Sequence, residues 1–584
     1  METDILKRAK AWASNDYFSK ESRQEIQKLL DQNDHQELTE RFYKSMEFGT
    51  GGIRGIIGAG YNRMNVYNVR KATQAMSNVL NQTFKKPSVA ISYDSRNFSF
   101  EFAKEAASVF AANNIRVYIY KRLNPVALLS FAVRHFKASA GVMITASHNP
   151  PEYNGYKAYW NDGAQVIPPY DQNIIDAYNH ISDYASIKSL PFEKALKNEQ
   201  IRWIEEDTEN LYFEKVLAKT IRPAMIKDNA DLLKVVYTPI HGTGLVPCTT
   251  ILQKLGFKNV LIVKEQTTYD GNFPTVKSPN PENAEALKLA VDLLNKENAD
   301  FAVGTDPDDD RIGVALKHQD QIHYLSGNQL GTLMLHYIIT GLIDTKKMPN
   351  HPYMVKTIVT SRLQDKIATH FKVRVENTLT GFKWICGKMR EIEENHPEQS
   401  FLFGTEESFG FLNHDMVRDK DGCAPVALLC EMALFYKLKN MTLMDALENI
   451  YTEFGFHHED LLNLHYLGKE GSEKIKRIMK LFRENTPKYF ASETLISLED
   501  YEISQRTCFQ TNQKIKMDIP KSDVLGFYFA SGNILYCRPS GTEPKIKFYT
   551  MIKETEGSLA TMKQKAIQKT KELIHFIKEQ ADKA

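Results

Sequence analysis

An excess of charge of one sign is what this sequence most clearly lacks. Its 74 Lys and Arg face 72 Asp and Glu, a net +2 over 584 residues. Nothing in that balance suggests a polyanion such as nucleic acid, so no nucleic-acid partner is expected. Small anions held by local charge stay open. Cysteine is scarce: Cys248, Cys386, Cys423, Cys430, Cys508 and Cys537. No two form a C-x-x-C pair, so neither a zinc site nor a thioredoxin-type motif is indicated. Their scatter reads as reduced core thiols and a cytoplasmic location. Long apolar runs are absent as well. Residues Met1 to Lys7 are charged and carry no apolar core of signal-peptide length, and no run is long enough to span a bilayer, so no membrane is expected as partner. A Walker A string and a Rossmann fingerprint are also missing, since Gly242 and Gly244 lack the third glycine. Nucleotide use is unsupported.

What is present is an alternation. Apolar content of 42% and charged content of 25% are ordinary for a globular protein, and the length exceeds one hydrophobic core. To about Arg41 the chain reads as exposed amphipathic helices. Strand, helix and strand then follow as Val89–Ile91, Phe100–Ala112 and Arg116–Tyr120, and Val142–Ile144 leads into Thr145-Ala146-Ser147-His148-Asn149-Pro150. A second round runs through Leu233–Tyr237, a helix to Leu255, Val260–Val263, a helix near Ala284–Lys296 and Phe301–Val303. It ends at Asp306-Pro307-Asp308-Asp309-Asp310-Arg311. A third begins at Met354–Ile358 and reaches Phe401–Phe403, which opens into Gly404-Thr405-Glu406-Glu407-Ser408. Three rounds of strand and helix argue for tandem α/β domains. The last portion, with strands Val524–Phe529 and Ile534–Cys537 and a helix Met562–Lys578, reads as a separate α+β module.

Four strings carry chemistry. Asp306, Asp308 and Asp310 crowd like charges that repel unless a cation sits among them, and oxygen-only ligands favour Mg²⁺ or a similar hard ion. The EF-hand template fails, with Arg311 at its glycine position and Lys317 at its glutamate. Ser147 lacks the Gly-x-Ser-x-Gly setting of a hydrolase elbow. It needs a base or metal to become a nucleophile, and Lys157 and His148 are candidate proton handlers, Lys157 as a base only with a lowered pKa. Glu406 and Ser408 suit sugar hydroxyls. Arg538, Ser540, Gly541 and Thr542 have the composition of a phosphate clamp. Glycine-rich Phe48–Gly55 adds Arg54, a second phosphate candidate. Bland readings compete with each: a solvated acidic turn, a proline-fixed polar loop, a glycine turn.

Taken in order, the strings resemble the α-D-phosphohexomutase superfamily over nearly the whole chain. Phe48–Gly55, Tyr237–Gly244 and Pro279-Asn280-Pro281-Glu282 are similar to its longer branch of bacterial phosphoglucomutases and animal phosphopentomutase-like enzymes. The resemblance implies three tandem α/β/α domains with mixed sheets plus a smaller C-terminal α+β domain around a central cleft, here at 1–210, 211–340, 341–460 and 461–584. It implies a phosphoserine at Ser147, and one Mg²⁺ on Asp306, Asp308, Asp310 and a Ser147 phosphate oxygen. Lys157 is the implied general acid/base with His148 or Arg311 assisting. Thr380, Gly381 and Lys383 resemble the specificity loop, and Lys420 a further active-site lysine. Glu406 and Ser408 would take sugar hydroxyls, and Arg538, Ser540, Gly541 and Thr542 the non-reacting phosphate. The implied activity is a phosphoglucomutase acting on a hexose phosphate, with glucose 1,6-bisphosphate as intermediate and activator, in a monomer or small homo-oligomer. Phosphomannomutase or phosphopentomutase is the alternative, and a sugar-phosphate binding protein without catalysis a third. Pro307 and Asp309 depart from the glycines of the commonest metal loop, and Gly541 from an asparagine in shorter relatives.

Overall fold

A computed structural model describes residues 2–49, 51–466, 468–540 and 545–584. The first sheet holds β1 Gly52–Ile56, β2 Ser88–Tyr93, β3 Arg116–Tyr120, β4 Ala140–Ile144, β5 Tyr153–Trp160 and β6 Ile201–Ile204, in the order β1-β5-β4-β2-β3-β6. Strands β4, β2, β3 and β6 are parallel, and β5 and β1 extend the sheet antiparallel. Its central strands are apolar on both faces because helices cover both. Val89, Ile91, Val142 and Ile144 pack with Phe102 and Phe110 of the helix Ser99–Ala112. Ala90 and Met143 face Leu128 and Leu129 of the helix Val126–His135 on the other side.

The second sheet repeats the plan with β7 Val235–Thr238, β8 Val260–Ile262, β9 Phe301–Thr305, β10 Ile312–His318 and β11 Gln321–Leu325, ordered β11-β10-β9-β7-β8. The third has β12 Pro352–Thr357, β13 Arg374–Thr378, β14 Ser400–Glu406 and β15 Gly410–Leu412, ordered β13-β12-β14-β15. In all three, a parallel group ends where the chain turns back into an antiparallel strand. Those turns, β4 to β5, β9 to β10 and β14 to β15, carry Ser147, the aspartates and Glu406 respectively. The carboxyl ends of parallel strands are where ligands collect in α/β sheets, and the same turn of each sheet is used three times.

The C-terminal sheet is antiparallel throughout. It contains β16 Phe456–His465, β17 Tyr489–Phe490, β18 Glu493–Asp500, β19 Gln505–Cys508, β20 Gln513–Lys516, β21 Leu525–Phe529, β22 Ile534–Pro539 and β23 Lys545–Glu554. The long helix Leu559–Lys583 and the rings of Phe482, Phe490, Phe527 and Phe548 fill its inner side. The boundary expected at 460/461 falls inside β16, which pairs along its whole length with β23. That expected at 210/211 falls inside the helix Glu206–Leu217. The helix expected from Ala284 starts at Lys288.

The N-terminal helices, Glu2–Ser14, Lys20–Asp31 and His35–Phe42, are not simply exposed. Trp12, fully buried, stacks on Phe18 at 3.7 Å and meets Phe42, Tyr61 and Tyr67 edge-on. These partners come from separate segments, so no local periodicity reveals the small core they share. No described helix is long and apolar enough to cross a membrane.

Candidate active site

Ser147 adopts φ +52°, a left-handed conformation that costs a non-glycine residue about 1–2 kcal/mol. The loop compensates with hydrogen bonds. Ser147 N–H donates to Thr145 Oγ1 at 2.8 Å, and Thr145 Oγ1 donates to Asp94 Oδ2 at 2.6 Å. The guanidinium of Arg96 donates to the carbonyls of Ser147 at 2.5 Å, Pro150 at 2.9 Å and Tyr153 at 3.0 Å, and also to that of Asn149. Asp94 and Arg96 have fully buried side chains 3.4 Å apart, and Arg96 lies over the Phe273 ring of the second domain. Neither residue lies in one of the four strings that carry chemistry. Their position at the carboxyl end of β2, beside β4, was the available signal.

So held, Ser147 Oγ donates to Asp306 Oδ2 at 2.9 Å and lies 3.1 Å from His148 Nδ1. Asp306, Asp308 and Asp310 each bring a carboxylate oxygen within 4.8 Å of the others, and all three are buried. Burial, then the charges of Asp308 and Asp310, raise the Asp306 carboxyl well above the usual range. Asp308 Oδ1 and Asp310 Oδ1 are buried without a hydrogen-bond partner. Crowded, partly unpartnered carboxylates of this kind fit a hard divalent cation. The loop is fixed from outside: Val126 N–H, at the start of its helix, donates to Asp308 O at 3.0 Å, and Asp306 Oδ1 accepts from the amides of Asp310 and Arg311 at 3.0 Å each. Asp309 turns away at φ +52° and accepts from Cys423 Sγ at 2.9 Å. Gly422 passes so close that a Cβ there would sit 2.3 Å from Asp309 Oδ1.

Two lysines meet the triad. Lys157 Nζ donates to Asp308 Oδ2 at 2.7 Å and Asp310 Oδ2 at 3.2 Å. Lys420 Nζ lies 3.1 Å from Asp310 Oδ2 and 3.2 Å from Asp419 Oδ1. Burial alone would lower the Lys157 ammonium, but Asp308 and Asp310 outweigh it and leave it raised. With Asp308 and Asp310 beside it, Lys157 is held here as an ammonium. His148 is the opposite case: burial, then Arg311 and Arg54, push its ring well below the ordinary value, so it is neutral. Arg311 pairs with Glu282 of the Pro279–Glu282 string and is raised, since Glu282 and Asp310 more than offset its burial. Arg54 is exposed and donates to Asn149 Oδ1 at 2.8 Å. β1 can lie this close because Gly52, at φ +140°, has no Cβ to strike Tyr156 O, which would be 1.8 Å away. Asp419, which sequence reasoning did not single out, accepts from Tyr159 OH at 2.7 Å and Gln165 Nε2 at 2.9 Å, tying the Lys420 segment to the first domain.

The third loop joins through its backbone. Phe409 O accepts from Ile312 N–H at 3.2 Å, which sets the Glu406–Ser408 turn beside the aspartate loop. Burial pushes Glu406 up to about 7 against the pull of Lys420 and Arg311. Ser408 is half-buried on the same turn.

The remaining residues form a second group. Arg538 Nη1 meets Thr380 Oγ1, so the C-terminal sheet touches the loop before the helix Phe382–Asn395. Gly381, at φ +108°, starts that helix, and Lys383 Nζ lies 5.0 Å from the Trp384 ring. Ser540 N–H donates to Lys545 O at 2.8 Å. Gly541 and Thr542 lie outside the described residues. Lys547, opposite Arg538 across β22 and β23, feels charges from both this group and the acids near the aspartate loop. Burial, then Arg538 and Lys545, lower it, while Glu407 and Glu282 act against them. Lys547 also went unremarked in the sequence.

Comparison with known proteins adds the following. Family models described as phosphoglucomutase/phosphomannomutase alpha/beta/alpha domains I, II and III match residues 45–185, 210–319 and 326–454. A phosphoglucomutase of Staphylococcus epidermidis is 37% identical over 526 residues, covering 88% of this chain and 92% of its own. One of Staphylococcus aureus is 36% identical over 538 residues, covering 90% and 93%. Among solved structures, the open form of Paramecium pp63/parafusin, a phosphoglucomutase, has a TM-score of 0.65 at 17% identity, with 92% of this chain and 96% of that chain covered. A phosphoglucomutase/phosphomannomutase family protein of Burkholderia thailandensis gives 0.61 at 18%, covering 90% and 96%. At such identities the two structures speak to the fold.

Proposed function

We infer, for a chain that belongs to the phosphoglucomutase/phosphomannomutase family, that it is a phosphoglucomutase interconverting glucose 1-phosphate and glucose 6-phosphate. The observation that carries the mechanism is the 2.9 Å bond from Ser147 Oγ to Asp306 Oδ2, a hydroxyl of one domain seated on a carboxylate cluster of the next.

Ser147 is the phosphoryl carrier. In the forward step the Oγ–P bond breaks and a P–O bond forms to the free hydroxyl of the hexose phosphate, giving glucose 1,6-bisphosphate. The sugar hydroxyl gives up a proton, and Ser147 Oγ recovers one. Neutral His148, 3.1 Å from Oγ, can accept a proton, and the Lys157 cation can supply one. Arg311, locked on Glu282, contributes charge rather than a proton. Asp306, Asp308, Asp310 and a phosphoserine oxygen would hold Mg²⁺, which offsets negative charge on the transferring group. Glu406 and Ser408 orient the sugar. Arg538 and Ser540, with Gly541 and Thr542, grip the phosphate that does not react, and Arg54, Thr380, Gly381, Lys383 and Lys420 line the approach. The bisphosphate turns over and returns its other phosphate to Ser147, so one clamp serves both directions.

The test is a coupled assay with Mg²⁺ and a trace of glucose 1,6-bisphosphate on glucose, mannose and ribose 1-phosphates. Glucose 1-phosphate should give the highest kcat/KM. A higher value with mannose or ribose would replace the substrate assignment and leave the serine relay standing.

A further inference from the structure

A cavity of about 620 Å³ lies away from Ser147, at the junction of the third domain and the C-terminal sheet. Its walls come from the helix Arg362–His370, the end of the helix Leu443–Phe454, the start of β16, and the β22–β23 side of the C-terminal sheet. His457 on β16 is buried, 6% exposed, and its Nε2 has no hydrogen-bond partner. Two ammonium groups bear on that ring, Lys366 and Lys553. Burial first, and then these two charges, hold the imidazole down at about 3, so it is neutral. Lys366 Nζ is bonded to Phe454 O at 2.5 Å, and among the described residues neither lysine pairs with a carboxylate. Arg362 is engaged elsewhere, donating to Tyr536 OH at 2.9 Å. Of the two acids in the lining, Asp365 is taken by Lys356 at 2.8 Å, which leaves Glu453. Phe454, Ile534 and Met551 supply an apolar floor.

A buried imidazole and two lysines without a carboxylate partner, all lining one cavity, make a receptor for a dianion. The floor beside them suits a small carbon skeleton. We propose that this cavity binds the phosphate group of a small organic phosphomonoester, held by Lys366, Lys553 and His457, at a site separate from the candidate active site. Such a ligand touches both the third domain, which carries Thr380, and the C-terminal sheet, which carries Arg538. The proposal does not depend on the phosphoglucomutase reading.

Equilibrium dialysis of the full-length protein against radiolabelled inorganic phosphate tests it. Lys366→Gln/Lys553→Gln, altering two exposed side chains, should remove one phosphate equivalent or weaken it at least tenfold. His457→Phe should weaken the same equivalent. Arg538→Gln should leave that equivalent in place. In the Arg538→Gln protein, glucose 6-phosphate should displace it at a lower concentration than inorganic sulfate does. A phosphate count and affinity unchanged in Lys366→Gln/Lys553→Gln would overturn the site, and equal displacement by sulfate would overturn its organic ligand.

Discussion

Ser147 and Arg538 stand on the two groups of the candidate cleft in unlike surroundings. The Ser147 loop is buried, strained at φ +52°, and fixed by Thr145, Asp94 and four carbonyls on Arg96. Arg538 is half-buried on β22 and meets Thr380 Oγ1 of the neighbouring domain and the Tyr549 hydroxyl of its own sheet. The difference matches the tasks proposed for them. A group that makes and breaks bonds must be positioned within fractions of an ångström. A clamp that receives either end of a turned-over sugar needs charge and donors more than one exact pose, because it has to bind two orientations about equally.

The largest effect should come from removing the carrier. Ser147→Ala should lower mutase turnover by more than about 10⁴-fold while calorimetry finds glucose 6-phosphate binding within a few-fold of the parent. Appreciable turnover in that variant would end the serine relay. Next is the scaffold beneath it. Arg96→Met leaves Asp94 buried without its partner, at about 3–5 kcal/mol of stability, and frees four carbonyls of the loop. Assayed well below its melting temperature, it should lose about 10²-fold in kcat with KM little changed. An equal loss in KM would mean that Arg96 shapes the sugar pocket rather than the serine.

Arg96 also marks the limit of what the sequence discloses. Ser147, the aspartates, Glu406 and Arg538 were legible because each lies in a short string on one turn, where residue types and spacing sit together. The alternating strands and helices were legible for the same reason, since β2 and β4 are buried on both faces and read as unbroken apolar runs. Cross-domain partnerships leave no such trace. The guanidinium on the Ser147 loop comes from 51 residues away, and the Tyr159–Asp419 bond spans 260. The Trp12 core is hidden likewise, its aromatic partners being drawn from several segments. Asp309 misleads in the other direction: it belongs to the acidic string by sequence, yet the turn at φ +52° sends its carboxyl to Cys423.

Glu406 lies between the two extremes, buried on a turn that the aspartate loop holds by one backbone bond. Its carboxyl, at about 7 through burial, is protonated at low pH and ionised at high pH. Since the carboxylate is the better acceptor for sugar hydroxyls, kcat/KM should rise with pH through this value. Glu406→Gln should flatten that limb and cost about 10–100-fold in kcat/KM at pH 8. A limb near 7 that survives in Glu406→Gln belongs to another group.

The smallest effect should fall on the clamp. Arg538→Lys keeps the charge but loses the planar fork that grips two phosphate oxygens at once. If Arg538 holds only the phosphate that does not react, its contribution is nearly the same in the ground state and the transition state. Losing it then raises KM, by about tenfold, with kcat within a few-fold of the parent. The contrast with Arg96→Met is the point: one arginine should act on kcat and the other on KM. Should Arg538→Lys instead lower kcat as strongly as Arg96→Met, the clamp arginine is as much a part of the reacting centre as the serine.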